Sequence, residues 1–335
     1  MIKRVYFPLD FNIIQNIRII HAISESSYVI VIDKDDEPKF KELKRLFNIK
    51  YELKNLKKDF VTINNYEILH NKPLSKIGEI DKFLLFPHAI TNHCKKIWKN
   101  EREMVCSFAG LITESRKIIL NKYLEKNYGK TLSTEISVNS KYRKFLLKIK
   151  NILKLIPSIN QKRIGDIVFW SSARGRTFPI KSWDEEYFKL LSNSKFVLCP
   201  NGDFIWTYRF FEAILCGAIP IIKDYCDLYE GFKYKTFNDS LDNLQWNEED
   251  AEFNFELCVR KLTISKESLD SEILSLFNMD KEELEYIFIM MMMIMCASYF
   301  IFEAYLDLNR PKIGHTTGIV VISGICLSAI IWKVS

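Results

Sequence analysis

The hydrophobic positions of this chain fall into short continuous runs separated by amphipathic stretches. Arg4–Leu9 is rich in β-branched and aromatic residues and predicts a strand. Phe11–Ile23 places Ile13, Ile14, Ile17, Ile20 and Ala22 on one broad apolar face and predicts a helix. Tyr28–Ile32 (YVIVI) is a run of the kind buried on both faces of a parallel sheet. A charged helix over Pro38–Phe47 follows, then short segments ending in the apolar run Phe83–Pro87. A second series begins near Glu103, with strand Met104–Gly110, helix Glu114–Tyr128 and the amphipathic stretch Lys141–Ile156, which Pro157 stops. It continues with strand Asp166–Trp170, helix Trp183–Leu191, strand Lys195–Cys199, helix Thr207–Cys216, strand Ala218–Ile222 and helix Ala251–Leu262. Strands separated by helices imply α/β layers, and two such series predict two α/β units, residues 1–102 and 103–283.

The C-terminal pattern differs. Tyr286–Phe302 and Thr316–Trp332 are uncharged runs of 17 residues each, at the lower limit for membrane spans. Two in succession predict a transmembrane helical hairpin over residues 284–335, with a pair of buried helices as the alternative. The chain reaches Asp10 without an apolar run, which argues against a signal peptide.

Composition adds three limits. At 48% hydrophobic and 27% charged residues the chain reads as globular. Net charge is +6 and unevenly placed: Lys141–Arg163 holds eight basic residues and no acidic one, while Asn247–Glu256 is acidic. No nucleic-acid-binding motif accompanies that modest excess, so nucleic acid is not an expected partner. The basic Lys141–Ile156 helix suits either an anionic membrane surface or ordinary core packing with solvated lysines. The eight cysteines form no CxxC pair, as expected of reduced thiols in a cytoplasmic setting.

The candidate chemistry lies in residues 195–222. An apolar strand (KFVLC) ends at Pro200-Asn201-Gly202, and a loop leads to a helix with Thr207 as its N-cap. The free N–H groups and positive dipole end of a helix start favour a phosphate. Arg209, in the first turn, adds a guanidinium fork for a diphosphate, and Glu212 at i+3 offers acceptors for ribose hydroxyls. The same spacing also suits an ion pair between Arg209 and Glu212 on an exposed face, and spacing alone does not choose. Gly217 lets the backbone turn into AIPII.

The segment SKFVLCPNGDFIWTYRFFEAILCGAIPII resembles the donor-binding motif of exostosin-like glycosyltransferases of bacterial type. There an apolar strand ends in Cys-Pro-x-Gly, and Ser/Thr-x-Arg, Glu-Ala and Gly-x-Ile-Pro follow in order. Cys199, Pro200, Gly202, Thr207, Arg209, Glu212, Ala213, Gly217, Ile219 and Pro220 stand at the matching positions. Fucosyltransferases carry a related pattern, so hexosyl and fucosyl transfer both stay open. The resemblance implies a GT-B fold, two Rossmann-like domains facing a cleft: an acceptor domain first, then a domain that binds the nucleotide-sugar. It also implies transfer without a metal or other cofactor; Asp33-Lys34-Asp35 has DxD letters but lies in the first unit. CSFAGLITESR at 106–116 is similar to the strand–glycine loop–helix that opens such donor domains, with Gly110 and Arg116 near the diphosphate, or is an ordinary βα turn. Arg174 and Arg176, in WSSARGRTFPIKSW, line the donor cleft on this reading, or belong to a solvated basic loop.

Glycosyl transfer also needs a base for the acceptor hydroxyl. Asp10, after the first strand, and His88, in FPHAITNH, hold candidate positions in the first unit; a helix N-cap and a structural histidine are their alternatives. The whole pattern predicts a membrane-associated glycosyltransferase with a cytoplasmic catalytic domain. It would move a sugar to a glycan or lipid-linked acceptor in surface polysaccharide or lipopolysaccharide synthesis. The rival is a membrane-tethered nucleotide-sugar-binding protein without turnover. An epimerase or dehydrogenase would need a glycine-rich turn after the first strand, and PLDFN at 8–12 has none.

Overall fold

The computed structural model describes residues 4–55, 59–99, 101–132, 160–171, 183–202 and 204–308. Two compact units divide the chain, Met1–Glu272 and Ile273–Ser335.

The first unit holds two predominantly parallel sheets. The N-terminal one is built from β1 (Arg4–Tyr6), β2 (Val29–Ile32), β3 (Tyr51–Leu53) and β4 (Val61–Thr62), in the order β3-β2-β1-β4 with every pairing parallel. Helices α1 (Ile14–Ile23) and α2 (Glu37–Phe47) make the crossovers. The chain moves outward from β1 to β3 and then returns to the other side of β1, so the strand order reverses between β1 and β4. Three short antiparallel strands follow, β5 (Tyr66–Leu69), β6 (Leu74–Ile77) and β7 (Ile80–Lys82). Phe83–Pro87 then leads as coil into α3 (His88–Lys96).

The second sheet contains β8 (Met104–Ala109), β9 (Asn160–Ile164), β10 (Ile167–Ser171), β11 (Ser194–Cys199), β12 (Ile219–Ile222) and β13 (Lys235–Thr236). Their order is β13-β12-β11-β8-β10-β9, parallel except for the β9–β10 hairpin. Helices α4 (Glu114–Tyr128), α5 (Glu185–Ser192), α6 (Tyr208–Leu215) and α7 (Glu248–Leu262) complete it. Its core gathers Cys106, Phe108, Leu120, Tyr123, Phe169, Phe196, Leu198 and Ile221. The central strands are buried on both faces, which is why they read as unbroken apolar runs. After β10 the chain crosses back to lay β11 on the other side of β8. The order therefore reverses between β8 and β11, and open parallel sheets bind ligands beyond the strand ends at such a point.

The α/β organisation and the two sheets match the expectation from sequence; the tail does not. Helix α8 runs unbroken from Lys266 to Leu308, and among the described residues no helix is long and apolar enough to cross a membrane. The apolar run is bounded by Glu285 and Glu303, and 17 residues at a 1.5 Å rise cover only about 26 Å of a hydrocarbon core about 30 Å thick. The expected transmembrane hairpin is thus without support. Its second run, 316–332, lies outside the described residues, as does the basic helix expected at 141–156.

Helix α1 is buried from Gln15 to Ile23, so its polar side chains must find partners inside. Gln15 donates to the Ser75 hydroxyl at 2.9 Å, and Asn16 to the Asp10 carbonyl at 2.7 Å. Three atoms of α1 are buried without a partner among the described residues: Asn16 Oδ1, Arg18 Nη1 and His21 Nδ1. Burial pushes the His21 imidazole down to about 3 from its ordinary 6.5. The unfolded chain takes up that proton near pH 6.5 and the folded chain does not, so His21 costs stability progressively as the pH falls from there toward 3. Between pH 7 and pH 5 the unfolding free energy of wild type is expected to drop by roughly 2 kcal/mol more than that of His21→Leu. Urea titrations of both proteins at the two pH values measure the difference; equal drops would contradict it.

Candidate donor site at the strand-order reversal

Two loops leave the C-terminal ends of β8 and β11, and each contains a glycine at the point of closest approach. Gly110 has φ +139°, and a Cβ there would collide with the Arg209 guanidinium. A Cβ on Gly202 would likewise collide with the guanidinium of Arg116. Each arginine belongs to the helix that follows the other loop, so the two loops seat each other's arginines. Arg116, in the first turn of α4, donates through Nη1 to the Leu111 carbonyl at 3.0 Å and through Nε to the Asn201 carbonyl at 3.3 Å. That spends it on holding the loops together. Asn201 also donates its side-chain amide to Asp224 at 2.7 Å.

Thr207 is the N-cap of α6, as its sequence position predicts, with its hydroxyl accepting from the Arg209 backbone N–H at 3.4 Å. The backbone N–H of Thr207 donates to the Tyr229 hydroxyl at 3.0 Å. Arg209 is 7% exposed; its Nε donates to the Ala109 carbonyl at 2.5 Å, and its guanidinium stacks over Phe108 with 4.5 Å to the ring centroid. Its Nη1 is buried and has no hydrogen-bond partner among the described residues. An unsatisfied cationic donor beside a glycine loop and a helix start is a site prepared for an anion. Cys199, which ends β11 beside it, is inert: burial pushes the thiol up to about 12, against the opposing pull of Arg209.

Glu212 is equally buried at 7%, so the exposed-face ion pair with Arg209 is excluded. Its carboxylate is instead paired with Arg18 of α1 and accepts from the Tyr187 hydroxyl of α5 at 2.6 Å. Burial, followed by the Glu212 charge, raises the Tyr187 phenol well above its ordinary value, so it stays a donor. Tyr208 extends the contact between the sheets, donating to Gln15 Oε1 at 3.0 Å and stacking with His70. The start of α6 therefore touches both the donor-side loops and the N-terminal sheet's first helix.

Asp10 lies in the β1–α1 loop, at the reversal point of the N-terminal sheet. It is not the cap of α1, which is Ile13; its Oδ1 accepts from the Asn12 N–H at 2.9 Å, closing an Asx turn on an exposed loop. His88 opens α3, with its Nε2 at 3.0 Å from the Ile264 carbonyl and its backbone N–H on Glu25. Arg174 and Arg176 lie outside the described residues. Among the described residues no group of three or more His, Cys, Asp or Glu is placed to hold a metal ion.

Residues 80–230 match the family model of the Exostosin GT47 domain. Over those residues the chain is similar to that domain. The match takes in Gly110, Asn201, Gly202, Thr207, Arg209 and Glu212, and leaves Asp10 and Arg18 outside. No curated protein matches the chain. Among solved structures it is similar to sucrose-phosphate synthase from Thermosynechococcus elongatus, at 12% identity over 78% of this chain and 61% of that one, with a TM-score of 0.31. It is also similar to Anabaena HepE in complex with UDP and glucose, at 12% identity over 82% of this chain and 71% of that one, with a TM-score of 0.31. The chain therefore spans less than two thirds of the synthase's length.

Sequence reasoning missed Arg18, Tyr187 and His70 in this exostosin-like site, because none lies within a local motif. Gly110→Ala would force a side chain into the Arg209 guanidinium on a backbone at φ +139°. It is expected to destabilise the fold by about 1–3 kcal/mol. Thermal melts of wild type and variant measure the effect; an unchanged melt would contradict the seating of Arg209.

Proposed function

We propose that the protein is a glycosyltransferase that takes a sugar from a nucleoside diphosphate and passes it to a hydroxyl of a glycan or lipid-linked acceptor. One observation carries this reading: the buried, unpartnered Nη1 of Arg209 beneath the Gly110 loop, at the strand-order reversal of a parallel sheet. The exostosin match over the same residues supports it, and the pair of parallel sheets is compatible with a GT-B arrangement.

In the transfer, the acceptor oxygen bonds to the anomeric carbon as that carbon's bond to the diphosphate oxygen breaks. The departing nucleoside diphosphate keeps the electron pair, and the acceptor's proton passes to a base. Arg209 and the α6 N-terminus stabilise the charge that develops on the diphosphate, where preorganised donors act most strongly. Of the two candidate bases, Asp10 has the better claim, because its carboxylate is on an exposed loop while the His88 ring is engaged by a backbone carbonyl. Gln15, on the first turn of α1 after that loop, reaches Tyr208 beside Thr207. The cysteines among the described residues are free thiols, which supports a cytoplasmic site of action, where nucleotide-sugars are made. Surface polysaccharide or lipopolysaccharide synthesis suits such an activity, and both hexosyl and fucosyl donors remain candidates.

A panel of UDP, GDP, CMP and dTDP and their sugars tests the donor site by thermal shift and product formation. One nucleotide is expected to stabilise wild type saturably, and Arg209→Lys to weaken its affinity about tenfold or more, since a charged bidentate donor is lost. A folded protein stabilised by none of them would overturn the donor site, and binding without turnover of any acceptor would favour the binding-protein reading. Asp10→Asn keeps the Oδ1 that closes the Asx turn but cannot accept the proton. It is expected to lower kcat by about 10²–10⁴-fold with little change in nucleotide affinity. A variant with wild-type kcat would remove Asp10 from the mechanism.

A further inference from the structure

We propose that Arg18, on the first helix of the N-terminal sheet, is a second donor-binding guanidinium, directed at the sugar-bearing phosphate of the same diphosphate. The inference rests on the donor-site reading above and adds a residue that lies outside the exostosin match.

Arg18 is 8% exposed and spends Nη2 on the Glu212 carboxylate. Its guanidinium packs over Phe86, at 4.5 Å to the centroid, and against Tyr208, at 5.1 Å. Its Nη1, however, is buried with no hydrogen-bond partner among the described residues, the same condition as Nη1 of Arg209. A structural salt bridge would be expected to satisfy both ends of a guanidinium at such burial, because an unpaired buried donor is costly. Two arginines near one carboxylate, each with an idle donor, are better explained by a ligand that completes both.

Charge points the same way. Arg18, Arg209 and Glu212 bring two cations against one anion into a buried cluster, leaving one positive charge to be balanced. Along α6, at about 100° per residue, Tyr208, Glu212 and Arg209 fan across one side of the helix. Glu212 thus lies between the arginine that bonds it from α1 and the arginine three residues before it. Two separate idle donors match the two phosphates of a diphosphate better than a single phosphate. Arg209 rests on the sheet edge under the Gly110 loop, on the nucleotide side. Arg18 comes from the other sheet, which the proposed function gives to the acceptor, and is therefore assigned to the phosphate that carries the sugar. Glu212 keeps Nη2 of Arg18 in place while Nη1 takes the phosphate oxygen.

The test compares UDP, GDP, CDP and dTDP with UMP, GMP, CMP and dTMP by titration calorimetry on the full chain. For the base that wild type binds, the diphosphate is expected to bind at least about tenfold more tightly than the monophosphate. Arg18→Lys keeps the charge but loses the fork. It should weaken the diphosphate about tenfold while changing the monophosphate by less than about twofold. Should that variant unfold, Arg18→Gln combined with Glu212→Gln removes both charges together and should show the same selective loss. Equal weakening of both ligands, no weakening of either, or failure of both variants to fold would assign Arg18 to structure and overturn the proposal. Diphosphate binding that depends on Arg209 but not on Arg18 would overturn this inference alone. Absence of all binding to folded wild type would overturn the donor-site reading with it.

Discussion

The organisation around the strand-order reversal follows from the burial of one guanidinium. Arg209 is brought inside by a short helix that is buried from Arg209 to Leu215, and its Nε is satisfied by the carbonyl of Ala109 rather than by a carboxylate. A buried cation is tolerated only where hydrogen bonds and charge meet it. That requirement determines what surrounds it. The neighbouring loop must carry glycine at 110, because any side chain would occupy the guanidinium's space. Strand β8 must end beside the start of α6, which happens because the chain crosses back after β10 to pair β11 with β8. Arg116 makes the reciprocal arrangement at Gly202, so neither loop can shift without disturbing the other's arginine.

Helix α6 then acts as the joint between the two sheets. Tyr208 and Glu212 are one turn apart and face α1, where Gln15 and Arg18 meet them. Arg209 is turned toward the donor-side loop. The same eight residues thus couple the position of the N-terminal sheet to that of Arg209. The contact is polar and partly buried, with Tyr187 closing the remaining oxygen of Glu212. Contacts of this sort hold a geometry while leaving it dependent on a few side chains.

Much of this was legible from the hydrophobic pattern. Both sheets, the strand–loop–helix at 195–215, the Thr207 cap and the glycine at 110 follow from run length, periodicity and turn chemistry. Three things were not. The strands between Tyr66 and Lys82 are three or four residues long and charged, too short for alternation to stand out. Asp10 reads as a helix cap because it precedes an apolar helix, yet its carboxylate folds back onto Asn12 and the helix begins later. The apolar run after Tyr286 reads as a membrane span by composition, although the uncharged stretch is shorter than the hydrocarbon it would need to cross.

The missed site residues share a physical cause. Arg209 is held by backbone: a carbonyl, a glycine and a helix start. Backbone contacts demand particular residues at fixed local spacings, and that demand is what a motif records. Glu212 is held by side chains from far away, Arg18 at a separation of 194 residues and Tyr187 at 25. Nothing local marks Arg18, which interrupts an otherwise apolar stretch (Ile17, Ile19, Ile20) on a buried helix. A lone arginine there looks like an accident of the pattern until its carboxylate is located. The surroundings of Arg209 are therefore written in the sequence as spacing, and those of Glu212 only as pairs. Pairs can be exchanged together without altering any loop, so a fold built this way can keep the Arg209 seat while the contact with the N-terminal sheet changes.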